Sequence, residues 1–175
     1  PGKLDEAELG RKKAEVYQAR YEPFRHGLSL KATYITNDSA AEFEGVTFAF
    51  VCVDRGGARD EIFDLLIQLD IPFIDVGMGL KRKDGPINGM MRVTCFQTEN
   101  AAELKAKNLA ETSDAADNLY RDNIQIGELN ALNACLAMIR YKQLRAFYRS
   151  DEATIHSLFE VADLSVVNAS SIDDL

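Results

Sequence analysis

The sequence predicts an α/β fold in which helices flank a small, mostly parallel sheet. Residues 46–54 (VTFAFVCVD) are almost continuously apolar, as expected of a strand buried on both faces. Helical periodicity follows over 57–69, and a second apolar stretch, 71–80, ends in a glycine-containing turn. A strand, a helix and a strand in such close succession form a βαβ unit. The pattern therefore predicts a partial doubly wound, Rossmann-like sheet of about three parallel strands plus additional strands.

Caps, periodicity and turn residues predict the elements on either side of this unit. Asp5 can accept hydrogen bonds from the first amides of a helix, and Pro23 can end that helix. The remaining predicted elements are a helix over 6–23, a strand over 28–36, a short helical turn over 38–45, a strand over 90–98, a helix over 125–149 and one strand within 157–167.

The chain divides into three predicted segments. Residues 1–98 hold the first helix, the strands and the βαβ unit, and residues 99–124 form a polar, alanine-rich helical or mobile segment. Residues 125–175 comprise a long amphipathic helix that packs on the sheet, followed by a strand and a tail. Pro1 stands where a natural start would have Met, which predicts a fragment or a processed product.

Composition narrows the class of protein. The chain has 175 residues and a formal net charge of −8, which disfavours a general nucleic-acid binder. We expect no membrane span and no secretory signal, and therefore a cytoplasmic protein. Cys52, Cys95 and Cys135 are widely spaced, so we expect neither disulfides nor a zinc site, and we expect all three thiols to be buried.

The strongest candidate for chemistry is Asp54, at the predicted tip of the first apolar strand. Gly56 and Gly57 follow it and would let a ligand approach the backbone. In open α/β sheets, ligands bind beyond the carboxyl ends of the strands. Asp54 could cap the next helix, or it could hold Mg²⁺ beside a nucleoside triphosphate, since magnesium prefers one or two carboxylates plus phosphate oxygens.

Other polar residues give weaker signals. Asp75 is expected to be a buried, hydrogen-bonded structural carboxylate, and Lys13 alone would be an ordinary surface lysine. His26 and His156 have no companion at triad or metal-ligand spacing. No GxGxxG, GxxxxGK[ST], GxSxG or HExxH motif is present.

A longer stretch of the chain resembles a known family. The segment FVCVDRGGARDEIFDLLIQLDIPFIDVGMGL (50–80) is similar to the part of the ThiF/MoeB/HesA family that reads as a buried strand, D-N-x-x-A/T-R, a helix and a strand ending in glycine. The matching positions are Asp54, Ala58, Arg59, Pro72 and Gly77. The stretch GRKKA (10–14), Gly89 with the strand after it, and the helix beginning ELNALNACLAMIRY resemble further family segments.

This resemblance implies an activity and a set of site residues. Residues 1–98 would be the C-terminal part of an adenylation domain, which uses ATP to activate the C-terminal carboxylate of a ubiquitin-like or sulfur-carrier protein. Asp54 would act in catalysis and bind the Mg²⁺ of Mg-ATP, and Lys13 would contact the ATP phosphates. Arg55, which stands where the family has Asn, would complete the nucleotide site, and Arg59 would be a structural anchor. A homodimer is the expected assembly.

The sequence also departs from the family pattern. The glycine-rich phosphate turn, the ribose-binding acid and the arginine-bearing helix would precede Pro1, so the chain alone is expected to be inactive. Cys95 lies in a predicted strand, so no thioester-forming cysteine is assigned. Two alternatives stay open. One is a catalytically silent subunit that binds a partner or dimerises, and the other is a fragment of a nicotinamide dinucleotide-binding enzyme.

Overall fold

The computed structural model describes residues 5–82, 85–110 and 126–175, which fall into two compact units, Pro1–Ile35 and Thr36–Leu175. The first unit begins with a 3₁₀ turn, Glu6–Glu8, and continues with helix α1, Lys13–Tyr21. Asp5 accepts a hydrogen bond from the Ala7 amide at 3.0 Å, but it caps only the 3₁₀ turn. The predicted single helix over 6–23 is therefore two elements, because Gly10 adopts a positive φ of 81° between them.

The predicted strand over 28–36 is absent, although the residues alternate as a strand would. Leu28, Leu30 and Ala32 are half-buried, whereas the residues between them are exposed. A strand also needs a hydrogen-bonded neighbour, and here side chains from the same unit take that place. The Leu28 carbonyl accepts from Gln18 Nε2 at 2.8 Å, and the Ala32 carbonyl accepts from Lys12 Nζ at 3.0 Å.

The second unit contains a five-stranded sheet in the order β1-β2-β3-β4-β5. Only β1 and β2 are parallel, and the other three neighbouring pairs are antiparallel. The predicted doubly wound, mostly parallel, Rossmann-like sheet is therefore wrong. The strands are β1 (Ala49–Val51), β2 (Phe73–Arg82), β3 (Ile87–Phe96), β4 (His156–Glu160) and β5 (Ser165–Ala169).

Short connections explain the direction of the strands. Residues 83–86 separate β2 from β3, and residues 161–164 separate β4 from β5. A parallel neighbour needs a crossover of about a dozen residues or more, so these pairs can form only hairpins. The helix α2, Gly56–Gln68, supplies the crossover between the parallel strands β1 and β2. The predicted C-terminal strand is likewise a hairpin of two strands.

Two smaller differences between the predicted and the observed elements concern the first strand and the middle of the chain. β1 covers only three residues of the predicted 46–54, because Ala49–Val51 are the residues that pair with β2. In the predicted 99–124 segment, α3 spans Ala101–Ala106, and the part from residue 111 onward lies outside the described residues. The long helix α4 spans Gly127–Leu144, within the predicted 125–149.

Helices cover both faces of the sheet. On one face, three phenylalanine rings stack between α2 and the strands: the centroids of Phe63 and Phe73 lie 4.9 Å apart, and those of Phe73 and Phe96 lie 4.4 Å apart. On the other face, Ile74, Cys95 and neighbouring side chains pack against Ala137 of α4. Because adjacent strand residues point to opposite faces, this division also places Asp75 on the α2 side with Phe73.

Candidate functional site

Asp54 lies in the loop Cys52–Arg55, between the end of β1 and the start of α2. Its side chain is exposed and forms no hydrogen bond or ion pair with any residue that the structure describes. Arg55 occupies the N-cap position of α2 without a side-chain capping bond, so Asp54 does not cap the helix. An exposed carboxylate without a partner beyond the end of a parallel strand can accept a cation or a ligand donor.

The two predicted basic site residues occupy different parts of the chain. Arg55 is exposed and directly follows Asp54, so the structure brings these two residues together by sequence adjacency. Lys13 is the first residue of α1 in the first unit, and its side chain is exposed. Its contact with nucleotide phosphates stays a prediction, as does the metal-binding role of Asp54.

Arg59 fixes the loop that carries Asp54. It lies in the first turn of α2 and is only 7% exposed. Its Nη2 donates to the Val53 carbonyl at 2.5 Å, and its Nε donates to Asp75 Oδ1 at 3.1 Å. One side chain therefore ties the loop residue before Asp54 to β2, as expected of a structural anchor.

Asp75 is the centre of a buried ionic cluster on β2. It is fully buried, and its two oxygens accept from different arginines: Arg59 Nε at 3.1 Å and Arg92 Nη2 at 2.5 Å. Burial raises the pKa of the Asp75 carboxyl, and the positive charges of Arg92 and Arg59 oppose this shift. The predicted role of Asp75 as a buried, hydrogen-bonded structural carboxylate is confirmed.

The cluster continues across the sheet to β4. Arg92 Nη1 donates to Thr94 Oγ1 at 2.8 Å, and this hydroxyl lies 3.0 Å from His156 Nδ1. Thr94 is paired with both Asp75 on β2 and His156 on β4, which places the three residues in one row. Burial, together with the nearby charge of Arg92, lowers the pKa of His156 to about 4. The imidazole is therefore neutral near pH 7.

Glycine at position 77 makes room for the cluster. Gly77 pairs with Arg92 across β2 and β3. A Cβ at this position would lie 2.7 Å from Arg92 Nη2, closer than real side chains approach one another. The Gly77 carbonyl also accepts from Asn133 Nδ2 of α4 at 3.0 Å. The absence of a side chain at Gly77 therefore allows the guanidinium to reach Asp75.

Sequence reasoning did not predict Arg92, Thr94 or His156 as members of this cluster. A signal was present, because Arg92 and Asp75 each place a charge between two apolar residues of a predicted strand. A charged residue in the middle of a buried strand is almost never left unpaired. The two interruptions together would have predicted an ion pair between neighbouring strands.

The cysteines differ from expectation in two of three cases. Cys95 is buried, and burial raises the pKa of its thiol to about 12, so this side chain is not a reactive nucleophile. Cys52 and Cys135 are exposed, contrary to the prediction that all three would be buried.

The described part of the chain has neither a cluster of metal-ligating side chains nor a helix that could span a membrane. Residues 5–82, 85–110 and 126–175 contain no group of three or more His, Cys, Asp or Glu side chains placed to share a metal ion. Across these same ranges, no helix has both the length and the apolarity of a membrane span.

Comparison with known proteins defines a fold similarity. No family model matches the sequence, and no curated protein matches it. Among solved structures, the chain is similar to the crystal structure of E. coli MccB with AMPCPP and selenomethionine MccA, with a TM-score of 0.57 and 11% sequence identity. The alignment covers 95% of this chain and 50% of the MccB chain. At this identity the match shows a shared fold alone, and the chain spans half the length of that protein.

These findings overturn the assignment to the ThiF/MoeB/HesA family. The resemblance over residues 50–80 finds no support from any family model. The same assignment predicted a mostly parallel sheet, yet three of the four strand pairings in the structure are antiparallel. Five matching positions in a βαβ unit are too few to define a family, because every such unit needs a buried strand, a turn and a helix.

Proposed function

We propose that the chain is part of an ATP-dependent adenylyltransferase that activates the C-terminal carboxylate of a ubiquitin-like or sulfur-carrier protein. In this reaction a carboxylate oxygen forms a bond to the α-phosphorus of ATP, and the bond from that phosphorus to pyrophosphate breaks. The observation that carries the proposal is the position of Asp54, an exposed carboxylate with no partner among the described residues, at the end of the parallel strand pair.

The surroundings of Asp54 suit a magnesium–nucleotide ligand. The first turn of α2 holds no acidic side chain, so no carboxylate within that turn offsets the partial positive charge of the helix N-terminus. Arg55 adds a full positive charge next to Asp54. Mg²⁺ bound by Asp54 would offset the charge of the phosphate oxygens. The chain's own part is to hold that carboxylate in a fixed place, through the bond from Arg59 to the Val53 carbonyl.

The similar solved structure supports the same class of ligand. The MccB crystal contains AMPCPP, an analogue of ATP, and MccA. A shared fold at 11% identity does not transfer a reaction, so the MccB structure supports only the choice of a nucleotide as the first ligand to test.

The test is ATP–pyrophosphate exchange by the full-length parent protein, supplied with candidate carrier proteins that end in Gly-Gly. We expect exchange that depends on one carrier, and we expect Asp54→Ala to abolish it while the circular dichroism spectrum stays unchanged. Asp54→Asn, which keeps the shape of the side chain and removes its charge, should lower exchange by about 100-fold or more. The matched control is Asp38→Ala, another exposed aspartate of the second unit, which should retain full exchange.

Two results would contradict the proposal in different ways. Retained exchange in both Asp54 variants would remove the metal role from Asp54 and leave the reaction in place. No exchange with any carrier, together with no ATP binding, would instead favour a silent module that binds a partner. One observation already points to such binding, because α4 exposes apolar side chains, among them Met138 and Ile139.

A further inference from the structure

Helix α4 has apolar side chains on two opposite faces. Its inner face packs on the sheet, where Asn133 and Ala137 are buried and the Tyr141 ring lies 4.7 Å from that of Phe48. Its outer face includes Glu128, Ala131, Cys135, Met138 and Lys142. A helix that is apolar on both faces is normally covered on both.

The outer face has the spacing of a helix–helix seam. Its residues are separated by three, four, three and four positions, the heptad pattern that places side chains on one stripe. Ala131 and Cys135 are exposed, and Met138 is 44% exposed. Small residues on this stripe would let a second helix approach closely, and Met138 is large enough to fill the space above a small residue.

The charges at its ends indicate what the covering helix is. Glu128 lies in the first turn and Lys142 in the last, and Cys135 is midway between them. A two-fold axis through Cys135 would therefore bring Glu128 of each copy beside Lys142 of the other. Glu128 forms no ion pair with any described residue, and Lys142 lies 5.0 Å from the centre of the Phe147 ring without a carboxylate partner among them.

We propose that α4 pairs with α4 of a second copy of this chain, antiparallel and across the outer face. Under this symmetry, the pairing makes two equivalent Glu128–Lys142 ion pairs and packs each Met138 near the partner's Ala131. A parallel arrangement would place like charges together, so the ends of the helix select the antiparallel one. The surface does not involve Asp54, so the inference is independent of the proposed adenylation.

Charge exchange tests the pairing directly. Sedimentation equilibrium from about 1 to about 100 µM protein, a range that covers moderate affinities, should show a wild-type dimer. Glu128→Lys and Lys142→Glu should each weaken dimerisation about tenfold or more, since each creates two like-charge contacts. The double variant should restore the dissociation constant to within about threefold. A restored dissociation constant would also show that Lys142→Glu does not weaken the dimer through loss of the Lys142–Phe147 contact.

The control variant makes the same charge change elsewhere. Glu61→Lys alters an exposed glutamate of α2 and should leave dimerisation unchanged. The proximity of the two Cys135 residues at the axis can be tested with a short bismaleimide, whose two maleimide groups each react with one thiol. Cys52→Ser should still give crosslinked dimers, whereas Cys135→Ser should give none, because Cys95 is buried.

Three results would overturn the inference. The first is a protein that stays monomeric over the whole concentration range, which would assign the outer face to another partner. The second is a dimer whose dissociation constant is unaffected by either single charge reversal. The third is crosslinking that persists in Cys135→Ser and is lost in Cys52→Ser, which would place the interface elsewhere.

Discussion

Substitution of Gly77 by alanine probes the buried ionic cluster without removing any of its charges. The new Cβ would lie 2.7 Å from Nη2 of Arg92 and 3.2 Å from its Cζ and Nε. Ordinary contact requires roughly 3.5 Å, so the guanidinium must withdraw by about 1 Å. That nitrogen donates to Asp75 Oδ2 at 2.5 Å, so withdrawal stretches a fully buried ion pair.

The expected cost follows from two limits. Overpacking a core typically costs about 1 to 3 kcal/mol, and breaking a buried ion pair by removing one partner costs about 3 to 5 kcal/mol. Because the arginine is displaced and not removed, we expect Gly77→Ala to lower the free energy of unfolding by about 2 to 3 kcal/mol. Gly79→Ala is the matched control, because Gly79 lies in the same strand and a Cβ there meets no atom within 4 Å.

Urea unfolding followed by circular dichroism measures both variants. The reduced entropy of the unfolded chain affects them equally, so the difference between them isolates the contact with Arg92. In a chain that already carries Asp75→Asn, the cost of Gly77→Ala should shrink, because the ion pair it strains is gone. Equal stability of Gly77→Ala and Gly79→Ala would refute the reasoning.

Two further predictions concern the same cluster. Asp75→Asn should lower the free energy of unfolding by about 3 to 5 kcal/mol, because two buried guanidiniums lose their counter-charge. Asp60→Asn, in a partly exposed pair with Lys105, should cost less than about 1 kcal/mol. The pKa of His156 is lowered to about 4 in the folded chain, whereas the value for the unfolded chain is near 6.5. Between these two pH values the unfolded chain binds the proton and the folded chain does not, so stability falls as the pH falls. On going from pH 7 to pH 4.5, the wild type should therefore lose about 2 kcal/mol more than His156→Gln in urea unfolding, and equal losses would show that the histidine is not held neutral.

The parts of the fold that sequence predicted well are those with dense local signals. The apolar periodicity of 57–69 and 125–149 predicted α2 and α4, and the apolar stretch 71–80 predicted β2 to within two residues at each end. Each pattern reflects which residues the helix or strand buries, and such a pattern is visible within a short stretch of sequence. The predicted strand over 28–36 had the same alternation but no hydrogen-bonded partner, and partners are not visible in a local pattern.

The direction of the strands was predicted wrongly for a related reason. A run of apolar residues indicates a strand buried on both faces, but such burial also occurs in antiparallel sheets covered by helices on both sides. The length of the connection decides the direction, and the turn residues near Gly85 and Pro86 already indicated a short one. Read together with the strands on either side, that turn predicts the β2–β3 hairpin.

The candidate site was predicted in part, at the residues that lie close in sequence. Asp54 and Arg55 follow directly from the end of a strand, whereas the cluster beneath them joins residues from three strands and a helix. Most of its members are distant along the chain, and the charges at Asp75 and Arg92 do not by themselves show that Thr94 and His156 join them. Only the pairing register places Thr94 between Asp75 and His156.

The buried cluster is better explained by the geometry of the loop than by stability. Apolar residues of similar volume often stabilise a core as well as a buried ion pair does, so the charges at Arg59 and Asp75 are weak evidence for a stabilising role. A guanidinium can do what an apolar side chain cannot, which is to bond a carbonyl and a carboxylate at once in a fixed orientation. Arg59 uses both capacities, and the carbonyl it holds belongs to Val53, the residue before Asp54. The direction in which Asp54 leaves the sheet is therefore set by a charge buried beneath it.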